Sequence, residues 1–539
     1  MPDDTCRFPA SPPGRRTSHA GASPSPSGPR ASRPQSLRAT PCGRRTLFTL
    51  FTLFAFAALG NLAGCATAPP YSVPGVDLPP AFKEAGAAPA DAAAAPSPQW
   101  WRAYGDTTLD ALMPRLDATS QTLRKSRALL DDARAQTRAA RAAYFPTLVA
   151  GASGGSSHVS ANVVGRSLAG KTEPDHLLGL SATWEPDLWQ RVSNSVDAAQ
   201  AGAEASADDV AAMRLSLQAE LAADYFSLRS AERERDLLAR TVDSDATVLE
   251  LVGNRWRGGI ATEGEVAQAR AQLENAKAQL AEVRLTRTQL EHAIATLLGV
   301  PPARFTLAPQ VAAAPPLPPL PSAVPSQLLR RRPDIAAAER RVAAANAQVG
   351  VARAAFFPSL MLSAGLGLES TSLAGWLSAP SRFWALGPAL AGTVFDGGRR
   401  HALADSARAR FDASAADYRA TVLRAFQDVE DNFAALSALG EEAASQRAAT
   451  EASELALAQG LERYRKGAVA YLDVSVLESN ALASARAEEA VRRRRLVASV
   501  MLVKALGGGW GGAGAKDAED GGGAKDTAST APPVATAGR

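Results

Sequence analysis

The chain has 539 residues and a formal net charge of +4, and it is 46% hydrophobic but only 6% aromatic, with Ala abundant. That mix suits long helices whose axes approach closely rather than a thick aromatic core. Residues 1–64 hold eight arginines, no lysine and two aspartates, so +6 of the charge lies there, the rest of the chain carries −2, and the electrostatic footprint of a nucleic-acid binder is excluded.

Residues 1–43 are rich in Ser, Pro, Arg and Gly, too poor in apolar side chains to fold. Arg44 and Arg45 then precede Leu47–Leu59, an apolar run broken only by Thr49 and Thr52. A charged region followed by so short an apolar one reads as an export signal rather than a membrane span. The run leads to Leu62-Ala63-Gly64-Cys65, which resembles the bacterial lipobox. That resemblance implies cleavage before Cys65 and a covalent diacylglycerol and palmitate anchor on it. Ala66, rather than Asp, implies passage to the outer membrane. The arginine pair also permits a twin-arginine route. Cys6 and Cys42 precede the cleavage point, so the mature chain has no second cysteine for an intramolecular disulfide. Residues 65–98, rich in Ala and Pro, read as an extended tether.

The rest of the chain is a duplication. Arg141-Ala-Ala-Tyr-Phe-Pro-Thr-Leu148 recurs as Arg353-Ala-Ala-Phe-Phe-Pro-Ser-Leu360, 212 residues on. Arg191, Gly259 and Leu298-Gly299 recur as Arg399, Gly467 and Leu506-Gly507, each 208 residues on. The slip from 212 to 208 is read as an insertion between 360 and 399. The copies span 99–306 and 326–507. They are joined over 307–325 by a proline-rich linker expected to space and stiffen rather than pack. Residues 508–539, rich in Gly and Ala, are expected to be a disordered tail.

Each copy has the same order. A helix, about 105–143 or 326–355, ends at an aromatic-aromatic-proline step, because proline cannot continue it. Two strands follow, about 146–163 and 177–188, then 358–369 and 384–396. Next come a very long helix, 192–252 or 398–460, a glycine turn, and a return helix, 262–298 or 470–506. Val266, Leu273 and Leu280 recur every seven residues, as do Ala269, Ala276, Val283, Leu290 and Leu297, so the two arms are expected to pair as an antiparallel coiled coil. Thr262 and Glu265 form a capping box that starts the first return arm.

Four strands cannot close a membrane barrel, whose smallest bacterial form has about eight, and open sheet edges are not tolerated in lipid. An exported chain of this kind must share its barrel, and three copies supply twelve strands. The lipobox, the duplicated half, Trp184-Glu185-Pro186-Asp187-Leu188-Trp189, Phe395-Asp396-Gly397-Gly398-Arg399 and Leu329-Arg-Arg-Arg-Pro-Asp-Ile335 together resemble the TolC-like outer-membrane efflux family in its lipoprotein branch, the NodT or OprM type. The resemblance covers roughly 95–507. It implies a mainly α fold with a membrane β-barrel: a homotrimer with a 12-strand β-barrel continued by a 12-helix periplasmic α-barrel. The implied partners are a periplasmic adaptor, an inner-membrane RND-type pump reached indirectly, and outer-membrane lipid. The implied function is the outer-membrane channel of a tripartite efflux pump. The alternative within the same architecture is the duct of a type I protein-secretion system, which the lipobox disfavours.

By the same resemblance the gate lies where the second-copy hairpin converges on the axis. Leu472 would form an apolar ring and Asp473 a carboxylate ring selective for cations, with Tyr464 and Arg463 bonding neighbouring hairpins. Val476 stands where a further acid is common in the family. A plainer reading makes Leu472 a coiled-coil core residue and Asp473 a helix N-terminal charge. Arg257, Gly258 and Gly259, with Arg465, Lys466 and Gly467, are candidate adaptor contacts, although glycines there also serve the turn. Gly151-Ala-Ser153-Gly-Gly155 fits the G-x-S-x-G pattern, but that motif demands a strand, an elbow and a helix, and no helical period follows. The five histidines have no metal-ligand spacing. No enzyme activity, metal or other cofactor is expected. Trp184, Trp189 and Trp384 suit either an aromatic girdle or simple packing.

Overall fold

The computed structural model describes residues 67–84, 97–162, 167–310, 315–319, 329 and 331–509. The export signal and Cys65 lie outside the described residues, as does the tail beyond Gly509. Eleven principal elements follow in chain order: helices α1 (Thr107–Thr119) and α2 (Gln121–Ala142), strands β1 (Thr147–His158) and β2 (Thr172–Trp184), the long helix α3 (Arg191–Arg257) and its return α4 (Glu263–Leu297), then α5 (Pro333–Ala354), β3 (Ser359–Ser370), β4 (Arg382–Ala391), α6 (Arg399–Arg465) and α7 (Tyr471–Ala505). Both long helices have 67 residues and both return helices 35, and every boundary repeats at 208. A 67-residue helix extends roughly 100 Å.

Several expectations are corrected. The first helix is not continuous over 105–143. It breaks at Ser120, where the Thr119 hydroxyl donates to the Leu298 carbonyl at 2.6 Å and Gly299, at φ +67°, lies against the Thr119 carbonyl. The four extra residues sit in the first copy, not in an insertion between 360 and 399: 32 residues separate β1 from α3, and 28 separate β3 from α6. β2 starts at Thr172 because that residue pairs with His158 across the hairpin. β4 ends before Val394 and Phe395, whose successor Asp396 turns to cap α6.

The start of the proline-rich linker packs. Leu307 is buried in the main core; its amide donates to Glu291 at 2.7 Å and its carbonyl accepts from Arg287 at 2.7 Å. Gln310 donates its amide to Glu232 at 3.1 Å. A network of the buried Arg229, Glu232 and Glu291 with the partly exposed Arg287, its ion pairs at 2.7, 3.1 and 2.9 Å, thus fastens the join between copies to α3 and α4. The surrounding core is aromatic and aliphatic: Trp100, Trp101, Tyr104 and Met113 pack on Leu221, Tyr225 and Phe226 of α3 and Ile294 of α4. Each such side chain contributes about 1.5–3 kcal/mol on burial.

The four strands form one antiparallel sheet in the order β1-β2-β3-β4. The cross-copy pair β2–β3 matches Leu178 with Leu368 and Leu180 with Leu366. Every residue of β1 is exposed, and on β4 Trp384, Leu386 and Leu390 are largely so. Among the described residues no helix is long and apolar enough to cross a membrane. Trp184 donates to the Tyr144 carbonyl at 3.0 Å and Trp189 to the Pro358 carbonyl at 2.7 Å, so these two tie strand ends to the helix-ending proline steps. Asp187 caps α3 through the amides of Val192 and Ser193 at 2.8 and 2.7 Å. Asp396 does the same for α6 with Arg400. Both acids sit where the helix dipole favours them.

Candidate gate and anchor

The two hairpin tips are built alike. The Gly259 amide bonds the Trp256 carbonyl and the Ile260 amide the Arg255 carbonyl, both at 2.9 Å; Gly467 and Ala468 repeat this with Tyr464 and Arg463 at 2.9 Å. Gly259 and Gly467 have φ +74° and +76°, a conformation that glycine adopts without steric cost. Arg257, Gly258, Gly259, Arg465, Lys466 and Gly467 are all exposed at these tips. Arg465 pairs with Glu462 at 2.9 Å, Arg257 bonds Asn254, and Lys466 has no ion-pair partner among the described residues.

The return arms start differently. In the first copy Thr262 and Glu265 complete the capping box: the Glu265 amide donates to the Thr262 hydroxyl at 3.2 Å and the Thr262 amide to the Glu265 carboxylate at 2.7 Å. That amide holds the Glu265 carboxyl below the usual range. In the second copy the equivalent residues, 208 on, are Ala470 and Asp473. Ala470 has no side-chain cap to offer. The Asp473 carboxylate accordingly makes no hydrogen bond among the described residues and is exposed. Leu472 is 56% exposed and Val476, one turn on, is 51% exposed. Leu472 is therefore not a coiled-coil core residue within this chain; Tyr471 and Val474 are.

Tyr464 is buried in a cluster that joins the two hairpins. The Arg255 guanidinium stands 4.3 Å from its ring centroid, Tyr471 is 5.9 Å away, and Val252, Ala269 and Val474 complete the cluster. Arg463 is exposed without an ion pair among the described residues. Sequence reasoning missed Arg255, Asp245 and Glu478. The last two lie buried on α3 and α7, and the heptad steps Leu238-Asp245-Val252 and Tyr471-Glu478 could have found them.

At the other end the chain leaving Cys65 is docked rather than free, which corrects the tether reading for 67–84. Thr67 donates to the Trp189 carbonyl and accepts from Asn194, both at 3.0 Å. Asn346 donates to the Pro69 carbonyl at 2.9 Å, and Tyr71 bonds Glu339. The amides of Lys83 and Glu84 meet Glu430 at 2.7 and 2.9 Å, with Phe82 packed between Phe426 and Phe433. Thr67 thus sits two residues from Cys65 and beside the start of α3. Ser153 lies in mid-strand, paired with Leu177, with no elbow and no following helix. Among the described residues no three His, Cys, Asp or Glu side chains cluster as a metal site would require.

The model of the family described as outer membrane efflux protein matches residues 112–300 and 324–508, the two copies in turn. The chain is 32% identical to the outer membrane protein OprJ of Pseudomonas aeruginosa, over 84% of this chain and 94% of that one. It is 30% identical to the probable efflux pump outer membrane protein TtgC of Pseudomonas putida, over 83% and 93%. The solved structure of the outer-membrane channel OprN superposes with a TM-score of 0.77 at 29% identity, covering 82% of this chain and 99% of that one.

Proposed function

This chain belongs to the outer membrane efflux protein family and is the outer-membrane channel of an efflux pump, reaching into the periplasm, and from that premise we propose how it is assembled, anchored and gated. Three copies close one duct. The observation that carries this is the sheet: its outer strands β1 and β4 each pair on one side only among the described residues, and a lone four-stranded sheet would leave both edges bare in lipid. Twelve strands of 10 to 13 residues have the length and number of a membrane barrel.

In this reading Cys65 carries the diacylglycerol and palmitate that fix the chain to the inner face of the outer membrane. Its support is Thr67, held at the start of α3. The tips at 257–259 and 465–467 receive a periplasmic adaptor, which connects the duct to an inner-membrane RND-type pump. At the second-copy tip three Leu472 side chains narrow the path and three Asp473 carboxylates favour cations. The exposure of Leu472 and the uncommitted carboxylate of Asp473 support these roles. Planar bilayers containing the purified lipidated chain test the reading. Discrete conductance steps with cation selectivity, lost in Asp473→Asn, are expected. Selectivity unchanged by Asp473→Asn would remove the carboxylate ring from the account.

A further inference from the structure

Two acids are buried without a cation where the two copies meet, above the tip. Asp245 lies on the α3 seam between Leu238 and Val252 and is 1% exposed; Glu478 follows Tyr471 by seven residues on α7 and is 7% exposed. Both carboxylate oxygens of Asp245 and Oε2 of Glu478 have no hydrogen-bond partner among the described residues. Coiled-coil seams take apolar side chains, and ionised carboxylates in such places are costly unless paired. Burial pushes the Asp245 carboxyl up to about 6. Burial and then the nearby Asp245 charge push Glu478 up to about 7. The same two acids, after burial, raise the phenol of Tyr471.

Among the described residues neither acid has an ion-pair partner. Tyr464 of α6 packs on Tyr471, and Gln268 and Gln272 of α4 are engaged with Ser475 and Ser479 at 2.7 and 3.1 Å. The Arg255 cation of α3 is held over the Tyr464 ring. Protonation removes the charge that burial in this seam makes costly. Losing the protons to water leaves two like charges buried in the seam.

We propose that Asp245 and Glu478, buried and without a partner among the described residues, act as a pH-operated latch between α3 of the first copy and α7 of the second, closed when protonated and loosened when both acids are ionised. Because the first turn of α7 carries Leu472 and Asp473, loosening frees the second-copy tip; that consequence rests on reading this tip as the gate.

The test uses the purified full-length mature protein with spin labels at the exposed positions Glu250 and Asn480, and reads the distance between them from pH 5 to pH 8.5. A distribution that lengthens and broadens between pH 6 and 7 is expected, with the latched-to-loose ratio changing up to about tenfold per pH unit for one proton. The double variant Asp245→Asn, Glu478→Gln, and the single variant Glu478→Gln as a milder check, should stay in the short-distance form throughout. An unchanging wild-type distance, or variants that move with pH as the wild type does, would overturn the latch. Bilayer conductance is read alongside. Distances that move while conductance stays flat would uphold the latch and remove Leu472 and Asp473 as the gate.

Discussion

The Arg255 guanidinium lies over the Tyr464 ring, 4.3 Å from its centroid, and donates to the Tyr464 carbonyl at 3.3 Å, so one residue of the first copy holds the last turn of the second copy's long helix. The relation is not reciprocal. Trp256, the first-copy equivalent of Tyr464, is 47% exposed. Only the second hairpin is fastened inward by its aromatic.

Removing that fastening should loosen the tip. Tyr464→Ala deletes a buried ring, a change that costs about 3–5 kcal/mol in a packed core, and should raise single-channel conductance several-fold. Arg255→Ala, losing about 0.5–2 kcal/mol of cation–π attraction, should give an intermediate rise. Tyr464→Phe keeps ring and carbonyl and should conduct as the wild type does.

The unequal starts of the return arms give a test that leaves charge untouched. Ala470→Thr with Asp473→Glu rebuilds in the second copy the capping box seen at Thr262 and Glu265. The carboxylate would then turn back to the helix end, contributing about 1 kcal/mol to the cap. Reversal potentials in a salt gradient should show reduced cation selectivity although three negative charges remain. Unchanged selectivity would mean that charge alone, not its freedom, sets the preference.

Gly350 carries no side chain because the docked segment passes over it. An added Cβ would stand 2.7 Å from the Asn194 side chain and 2.8 Å from Ala68, too close without a backbone shift. Overpacking of this kind costs about 1–3 kcal/mol. Gly350→Ala should expose the segment around Thr67 to proteolysis in detergent extracts, while β1–β4 remain protected.

Glu232 is fully buried between Arg229 and Arg287 and accepts the Gln310 amide. Glu232→Ala leaves the buried Arg229 and the mostly buried Arg287 short of their partner, a loss of about 3–5 kcal/mol. Quantitative blotting of outer-membrane fractions should show the variant strongly depleted. Glu232→Gln, which keeps one acceptor, should be depleted less.

The duplicated order of helix, two strands and hairpin was legible because its signals are local and strong: the Tyr144-Phe145-Pro146 and Phe356-Phe357-Pro358 stops, the Gly259 and Gly467 turns, and the heptads of α4. What escaped depended on partners distant in sequence. Proline-rich composition says nothing of a Leu307 amide meeting Glu291, and Ala-Pro composition conceals Thr67 finding Asn194. The tip was half legible. Position 473 stood out as acidic, but its freedom followed only from comparing Ala470 with Thr262. Asp245 and Glu478 went unread in the sequence, and only their burial in the structure singled them out.

The mass of the detergent-extracted mature protein, measured intact by native mass spectrometry, tests the shared barrel most directly. The account predicts a single species of three chains, each carrying the added mass of the lipid on Cys65. A species of one chain, stable in detergent with all four strands protected, would contradict it.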